Sequence, residues 1–387
     1  MHYHDAMKKP EPDMAGLPLL GGISAHEFLR DYWQKKPLLI RGALPGFSGV
    51  LSPDELAGLA CEDEVQSRLV RHADPQWQVE QGPFDETDFA ELPERDWTLL
   101  VQGVNHHLSE AAELLQQFNF IPYARLDDLM VSYAPDGGGV GPHFDSYDVF
   151  LLQGQGQRLW RVSEQQDLSI VEDAPLRILQ RFDTEQEWLL QPGDMLYLPP
   201  RLAHWGIAVG ECMTYSIGFR APSAQELGHE FLSYLQEHLR LPGLYADPDL
   251  QLQSSPALIA AAMQTQVADI LSQIRWDAMD IAQFLGRYLT EPKPHVQFTQ
   301  RKPATTKGFL RKALQTGVGL DMKTLMLYDQ HHIYLNGESM ARAPEDAWLL
   351  ALADQRMLDA QSVGLLSAAG IAQLSDWYQL GYIQPLE

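Results

Sequence analysis

The stretch GPHFDSYDVF, residues 141–150, follows the glycine-rich run DGGGVG and holds an imidazole and a carboxylate two positions apart, His143 and Asp145. Its pattern predicts a strand, and side chains two apart on a strand share a face. His143 and Asp145 are therefore candidate ligands for one metal ion. A His-x-Asp pair alone is a weak signal, so a third ligand decides. The best candidate is His204 in QPGDMLYLPPRLAHWG, where Pro192-Gly193-Asp194 turns the chain into the strand MLYLPP and Pro199-Pro200 bends it before the imidazole. Two histidines and a carboxylate form a facial triad that leaves open positions on iron(II), room for a bidentate 2-oxo acid and dioxygen. Zinc, which ordinarily keeps four ligands, is the bland alternative. His106-His107 and His331-His332 fall outside this strand-rich region and are weaker candidates.

Outward from the pair, DDLMVSYA, HFDSYDVFLLQG, QRLWRVS, EWLLQPGDMLYLPP, HWGIAVG and MTYSIGFR are short predicted strands punctuated by Gly and Pro. That spacing predicts a cupin-like jelly roll, a double-stranded β-helix, over residues 101–222. Ahead of it, residues 1–100 form an α/β region leading into the barrel. It contains the amphipathic SAHEFLRDYWQKKP, the strand PLLIRGA and a helix opened by Ser52-Pro53-Asp54-Glu55 as a capping box. DWTLLVQGVNHHLSEAAELLQQF is expected to be helical. Residues 223–294 are helical again and predict either a dimerisation region or a helical cap on the same subunit, two readings the sequence does not separate. EPKPH, residues 291–295, is expected to be a linker. Residues 295–387 combine helices with a hairpin turning at Asn336-Gly337 or at Gln330-His331, the pattern of a winged-helix-like domain. The fold class expected is α+β.

A 2-oxo acid with a distal carboxylate needs a cation. Arg158, in GQGQRLWRV, begins the strand after the ligand pair, and a guanidinium holds a carboxylate through parallel hydrogen bonds. Arg161 has the opposite strand parity. Ser132 adds a hydroxyl to the same pocket.

Bulk composition narrows the partners. The chain has 387 residues and a formal net charge of −24, which repels nucleic acid and anionic lipid and attracts basic partners. Residues 295–387 hold 8 Lys/Arg against 9 Asp/Glu, so almost all of that charge lies on the other parts, and direct DNA binding is not expected of the winged-helix-like unit. No apolar run is long enough to span a membrane. MHYHDAMKKPEPDMAG, with His2 and His4, lacks a signal-peptide core and is expected to be a flexible tail. Two distant cysteines, Cys61 and Cys212, suggest a cytoplasmic protein with reduced thiols.

HFD, QGQGQRLW and PGDMLYLPPRLAH resemble the JmjC-type 2-oxoglutarate oxygenases. WQKKPLLIRG, SPDELAGLACEDEVQSRLV, QWQVEQGPF, LLVQGVNH, DDLMVSYAPDGGGVGPHFDSYDVFLLQG and YSIGFRAP extend the likeness to the bacterial ribosomal oxygenases, densely from Trp33 to Pro222 and more loosely beyond. The resemblance implies iron(II) held by His143, Asp145 and His204, with 2-oxoglutarate held by Arg158 and Ser132 and dioxygen as oxidant. Many relatives carry Lys where this chain has Arg158, and either cation serves. It further implies hydroxylation at C3 of an arginine in a basic large-subunit ribosomal protein, and a homodimer.

Parity then supplies a substrate pocket. If Ser132 and the ligands face the barrel interior, so do Asp128, Tyr147 and Ser216, an acid, a ring and a hydroxyl suited to a guanidinium. Three other readings stand beside this one. They are an oxygenase of the same class that hydroxylates histidine or demethylates lysine, a cupin-type metal-binding protein without catalysis, and a winged-helix regulator with a degenerate barrel.

Overall fold

The computed structural model describes residues 16–73 and 76–386; the tail expected at the N-terminus, with His2 and His4, lies outside the described residues up to Ala15. Nine strands form one antiparallel sheet: β1 (Leu38–Ile40), β2 (Ser67–Ala73), β3 (Gln76–Gln81), β4 (Trp97–Val101), β5 (Leu126–Ala134), β6 (Val149–Ser163), β7 (Gln186–Leu190), β8 (Met195–Leu198) and β9 (Ala203–Phe219). Their spatial order is β1-β8-β6-β9-β5-β4-β2-β3, with β7 also on β6. The expected jelly roll is therefore built around two long central strands, β6 and β9, paired from Val149↔Gly218 to Ser163↔Ala203.

Each of these long strands fuses two expected short ones. Gly154, Gly156 and Gly210 suggest breaks in the sequence, but Gly154 and Gly156 fall where the β6–β9 register shifts and Gly210 sits at positive φ within β9. They act as bulges that bend a continuous strand, which is the other physical use of glycine in a sheet.

Alternation along the strands separates two faces. Leu99 and Val101 of β4, Leu129 and Val131 of β5, Phe150 and Leu152 of β6, and Tyr215 and Ile217 of β9 enter the main core. Their neighbours Thr98, Leu100, Asp128, Met130, Ser132, Val149, Leu151, Ser216 and Gly218 line an internal cavity instead. The helix Ala25–Asp31, capped by Ser24, covers the core face by burying Phe28 completely against Phe150 and Tyr197. Removing such a ring costs about 3–5 kcal/mol. The capping box at Ser52 and Glu55 forms and opens the helix Pro53–Ala60.

The helix expected over DWTLLVQGVNHHLSEAAELLQQF is corrected. Its first part is β4, and only Ser109–Gln116 is α-helical. WTLLV is rich in β-favouring side chains and pairs with both β2 and β5, and Gly103 at φ 65 stops the segment. The division expected at residue 100 consequently falls inside β4.

Beyond the sheet come helices Ala224–His238, Ala261–Leu271 and Ala278–Thr290. The C-terminal part packs helices Thr306–Thr316, Ala347–Gln355 and Ala368–Leu380 around a separate core with Phe309, Leu352 and Trp377. Its strands Met326–Tyr328, His332–Leu335 and Glu338–Ala341 form a three-stranded sheet, so the chain turns both at Gln330-His331 and at Asn336-Gly337. Among the described residues no helix is long and apolar enough to cross a membrane.

Candidate active site

The strand expected at His143 is corrected: β6 begins only at Val149, and His143 makes a single antiparallel bridge to His204, their backbones exchanging hydrogen bonds of 2.9 and 2.8 Å. Gly141 sits at φ +78 ahead of Pro142, and a Cβ there would come within 2.8 Å of both Ile178 and Trp77. This turn replaces strand geometry in aiming the ligand pair. The backbone carbonyl of Asp145 accepts a 2.7 Å hydrogen bond from Arg201 N–H, which ties the loop to the segment before β9.

Both imidazoles are fixed in one tautomer. Nδ1 of His143 lies 3.0 Å from the Gly141 carbonyl and Nδ1 of His204 lies 2.9 Å from the Leu202 carbonyl. Carbonyls only accept, so each Nδ1–H donates and each Nε2 lone pair is free. Those Nε2 atoms lie 4.0 and 3.5 Å from Asp145 Oδ2. One donor atom from each residue falls within 4.8 Å of the others. Two imidazole nitrogens and a carboxylate gathered this closely are a donor set that one ion can draw together, so the residues fit a metal. Burial and the neighbouring His143 hold the His204 pKa down, to about 4, which keeps this imidazole neutral as a ligand must be.

Arg158 enters the same cavity from β6. Its side chain is buried, with Nη1 donating to Ser132 Oγ at 3.2 Å and Thr214 Oγ1 at 3.4 Å. Nε and Nη2 are buried with no partner, and no carboxylate among the described residues pairs with it. A buried cation without an anion is costly, and this one faces a cavity of about 530 Å³ that also contains the triad. The site is thus shaped for an incoming carboxylate. Arg161 instead pairs with Glu187 on the exposed side. Gly206 lets Trp160 pack close: a Cβ there would come 2.7 Å from the Trp160 ring, which stands 5.9 Å from the His204 ring and 5.8 Å from the Arg158 guanidinium.

All eight residues singled out from the sequence, His143, Asp145, His204, Arg158, Ser132, Asp128, Tyr147 and Ser216, line this one cavity. Asp128 is buried and accepts hydrogen bonds of 3.0 and 2.8 Å from Gln102 Nε2. Tyr147 stands half-exposed at the rim. Thr214 was readable as a polar residue in phase with Ser216, but sequence reasoning assigned it no role. Gln102 gave no signal because it follows a strand that reads as helix. Lys293 gave none because EPKPH reads as a linker, yet its Nζ lies 2.9 Å from Asp127 and 3.6 Å from Asp128.

With this geometry in view, the relatives are informative. Residues 113–227 match the JmjC domain and residues 273–384 the ROXA-like winged helix. The ribosomal protein uL16 3-hydroxylase of Escherichia coli is 36% identical over 365 residues, 92% of this chain and 96% of that protein. This chain belongs to the ribosomal oxygenase family. A "Probable ribosomal oxygenase" of Haemophilus influenzae is 43% identical over 235 residues, covering 59% of this chain and 56% of its own length. Among solved structures, E. coli YcfD superposes with a TM-score of 0.80 at 34% identity, covering 92% of this chain and 97% of that one. YcfD in complex with cobalt and 2-oxoglutarate superposes with a TM-score of 0.75 at 35% identity, over the same shares of the two chains. A non-catalytic metal-binding cupin has no use for the buried guanidinium at Arg158, and the ribosomal oxygenase family accounts for it.

Proposed function

We propose that this ribosomal oxygenase is a 2-oxoglutarate- and iron(II)-dependent hydroxylase acting at C3 of an arginine in a large-subunit ribosomal protein, uL16 as in its E. coli relative. The observation that carries the class is the unpaired guanidinium of Arg158 in the same cavity as the His143–Asp145–His204 triad. When bound, iron(II) with 2-oxoglutarate and dioxygen supplies the oxidising power for C–H hydroxylation. The protein's own part is to place and shield. His143 and His204 present Nε2 because Nδ1 is tied to the backbone. Arg158, Ser132 and Thr214 fix the distal carboxylate of the co-substrate. The apolar walls formed by Met130, Val149, Leu151 and Ile178 keep bulk water away.

Asp128, Tyr147 and Ser216 are the proposed substrate residues. Asp128 offers a buried carboxylate for a guanidinium, Tyr147 a ring at the rim and Ser216 a hydroxyl. The acidic surface suits a basic ribosomal protein as substrate. That substrate and the two unpaired cysteines support a cytoplasmic enzyme. We also propose a homodimer through residues 223–294, where Leu232 on helix Ala224–His238, Ile281 and Leu285 on helix Ala278–Thr290, and Trp276 just ahead of that helix expose apolar surface. The C-terminal winged-helix unit, near neutral in charge, is proposed as a structural or partner-binding part rather than a DNA reader.

The test is mass spectrometry of purified large-subunit proteins after incubation with the enzyme, iron(II), 2-oxoglutarate and oxygen. One added oxygen on an arginine of uL16, absent with Asp145→Ala, is the expected result. Oxygen on a histidine, or loss of a methyl group from a lysine, assigns the enzyme to the other chemistries of its class.

A further inference from the structure

Asp127 and Asp128 are consecutive carboxylates in the wall of the catalytic cavity. Two neighbouring carboxylates in a poorly hydrated wall repel, and one takes up a proton unless a cation intervenes. Burial raises the pKa of Asp128, and Asp127 adds to that rise while Lys293 opposes it. Lys293 Nζ bridges the pair, 2.9 Å from Asp127 Oδ1 and 3.6 Å from Asp128 Oδ2. It does so from behind. Lys293 borders the outer clefts with Glu291 and Pro292 but does not line the catalytic cavity, whereas Asp127 borders both spaces. Arg220 joins from the same outer side, its Nε 3.4 Å from Asp127 Oδ1 and its Nη1 donating to the Leu289 carbonyl at 2.8 Å. Asp127 thus faces two cations, and the Asp128 carboxyl, 3.6 Å from Lys293 Nζ, still borders the cavity.

We propose that Lys293 is a positioning residue for the substrate, holding Asp128 ionised and aimed into the cavity by neutralising Asp127 and pinning the pair from outside. The inference rests on Asp128 as acceptor of the substrate's guanidinium. Lys293 stands in the irregular segment between helices Ala278–Thr290 and Thr306–Thr316, within the residues that match the ROXA-like winged helix. The C-terminal part of the chain therefore helps to shape the substrate pocket although it contributes no group to the metal site. The segment that reads as a spacer supports the pocket wall from behind.

Steady-state kinetics of the full-length enzyme on purified uL16 test this, with Lys293→Met, Lys293→Arg and Asp128→Asn. Lys293→Met raises the KM for uL16 about tenfold or more, with the KM for 2-oxoglutarate unmoved, and Lys293→Arg restores most of the loss because a guanidinium spans the same two carboxylates. A KM for uL16 that is unchanged or lower in Lys293→Met overturns the proposal. So does a Lys293→Arg enzyme as impaired as Lys293→Met, since packing rather than charge would then be at work. Asp128→Asn separates the two layers. If it leaves the KM for uL16 unchanged, the guanidinium reading fails and this inference with it; if it raises KM while Lys293→Met does not, only this inference fails. Circular dichroism melts of each variant establish that a raised KM is not loss of fold.

Discussion

Arg158→Met separates two energies that the wild-type side chain combines. In the protein without co-substrate, the guanidinium is buried with one nitrogen hydrogen-bonded to Ser132 and Thr214 and two nitrogens without partners. Replacing a buried, uncompensated cation by an apolar side chain of similar length removes a desolvation cost that no partner repays, and is neutral or stabilising. In the complex with 2-oxoglutarate the same cation meets a carboxylate, and truncating one partner of a buried charge pair costs about 2–5 kcal/mol, a loss of roughly 30- to 4,000-fold in affinity. The two effects have opposite signs. Thermal melts of the protein alone therefore show Arg158→Met at or above the wild-type midpoint. Titration with 2-oxoglutarate under nitrogen, with manganese in place of iron, shows the affinity collapse, and the stabilisation that the co-substrate gives the wild type disappears. A variant that binds 2-oxoglutarate within a factor of about three of wild type, or that melts well below wild type without co-substrate, would refute the assignment of Arg158 to the co-substrate carboxylate. Arg158→Lys keeps the charge but not the parallel donors and should lie between the two.

Other perturbations are expected to act as follows. Asp145→Ala leaves two histidines on one ion, and both metal content by mass spectrometry and succinate formation fall to background. His106 is held neutral by burial with its pKa pushed down to about 3, beside Lys293 and Lys323. Between its unfolded value near 6.5 and that folded value, the unfolded chain binds the extra proton. Stability therefore falls with falling pH through this window, by up to about 1.4 kcal/mol per pH unit for this residue, and His106→Gln flattens the pH dependence of the melting midpoint. Ile281→Glu, on the exposed apolar side of helix Ala278–Thr290, converts the proposed dimer to a monomer in sedimentation velocity; a mass already monomeric in the wild type removes the dimer proposal.

Much of the site was legible because it lies on alternating strands. Asp128, Met130 and Ser132 line the cavity in the phase that their spacing predicts, and Leu129 and Val131 take the core. Arg158 and Trp160 repeat this on β6. Period two fixes the face of every residue once one is known. The ligand loop was found for a different reason than the one that positions it. His143 and Asp145 are two apart, but no strand carries them; a bridge to His204 and the turn at Gly141 do. Their chemistry was readable while their geometry was not, because a His-x-Asp pair can converge from a turn as well as from a strand. The helix expected over β4 failed because WTLLV has an apolar run too short to show a period, and its pairing with β2 and β5 lies elsewhere in the chain.

What sequence reasoning missed has a common physical origin. Gln102, Thr214 and Lys293 act through groups that already had a role: Gln102 and Lys293 on Asp128, Thr214 on Arg158. None touches the triad, so no spacing ties them to it. Lys293 is the extreme case, 165 positions after Asp128 in a segment whose prolines argue for a spacer. The close register of β9 on β5 and on β6 brings these distant groups together. Ser132 opposes Thr214 on one side while Arg158 opposes Ala208 on the other, with the register shifts at Gln153–Gln157 between. Those shifts let one strand, β9, present Thr214 to the Arg158 guanidinium and His204 to the triad from positions ten residues apart. Bulges that looked like strand ends in the sequence are what bring Arg158 and the His143–Asp145–His204 triad into the same cavity.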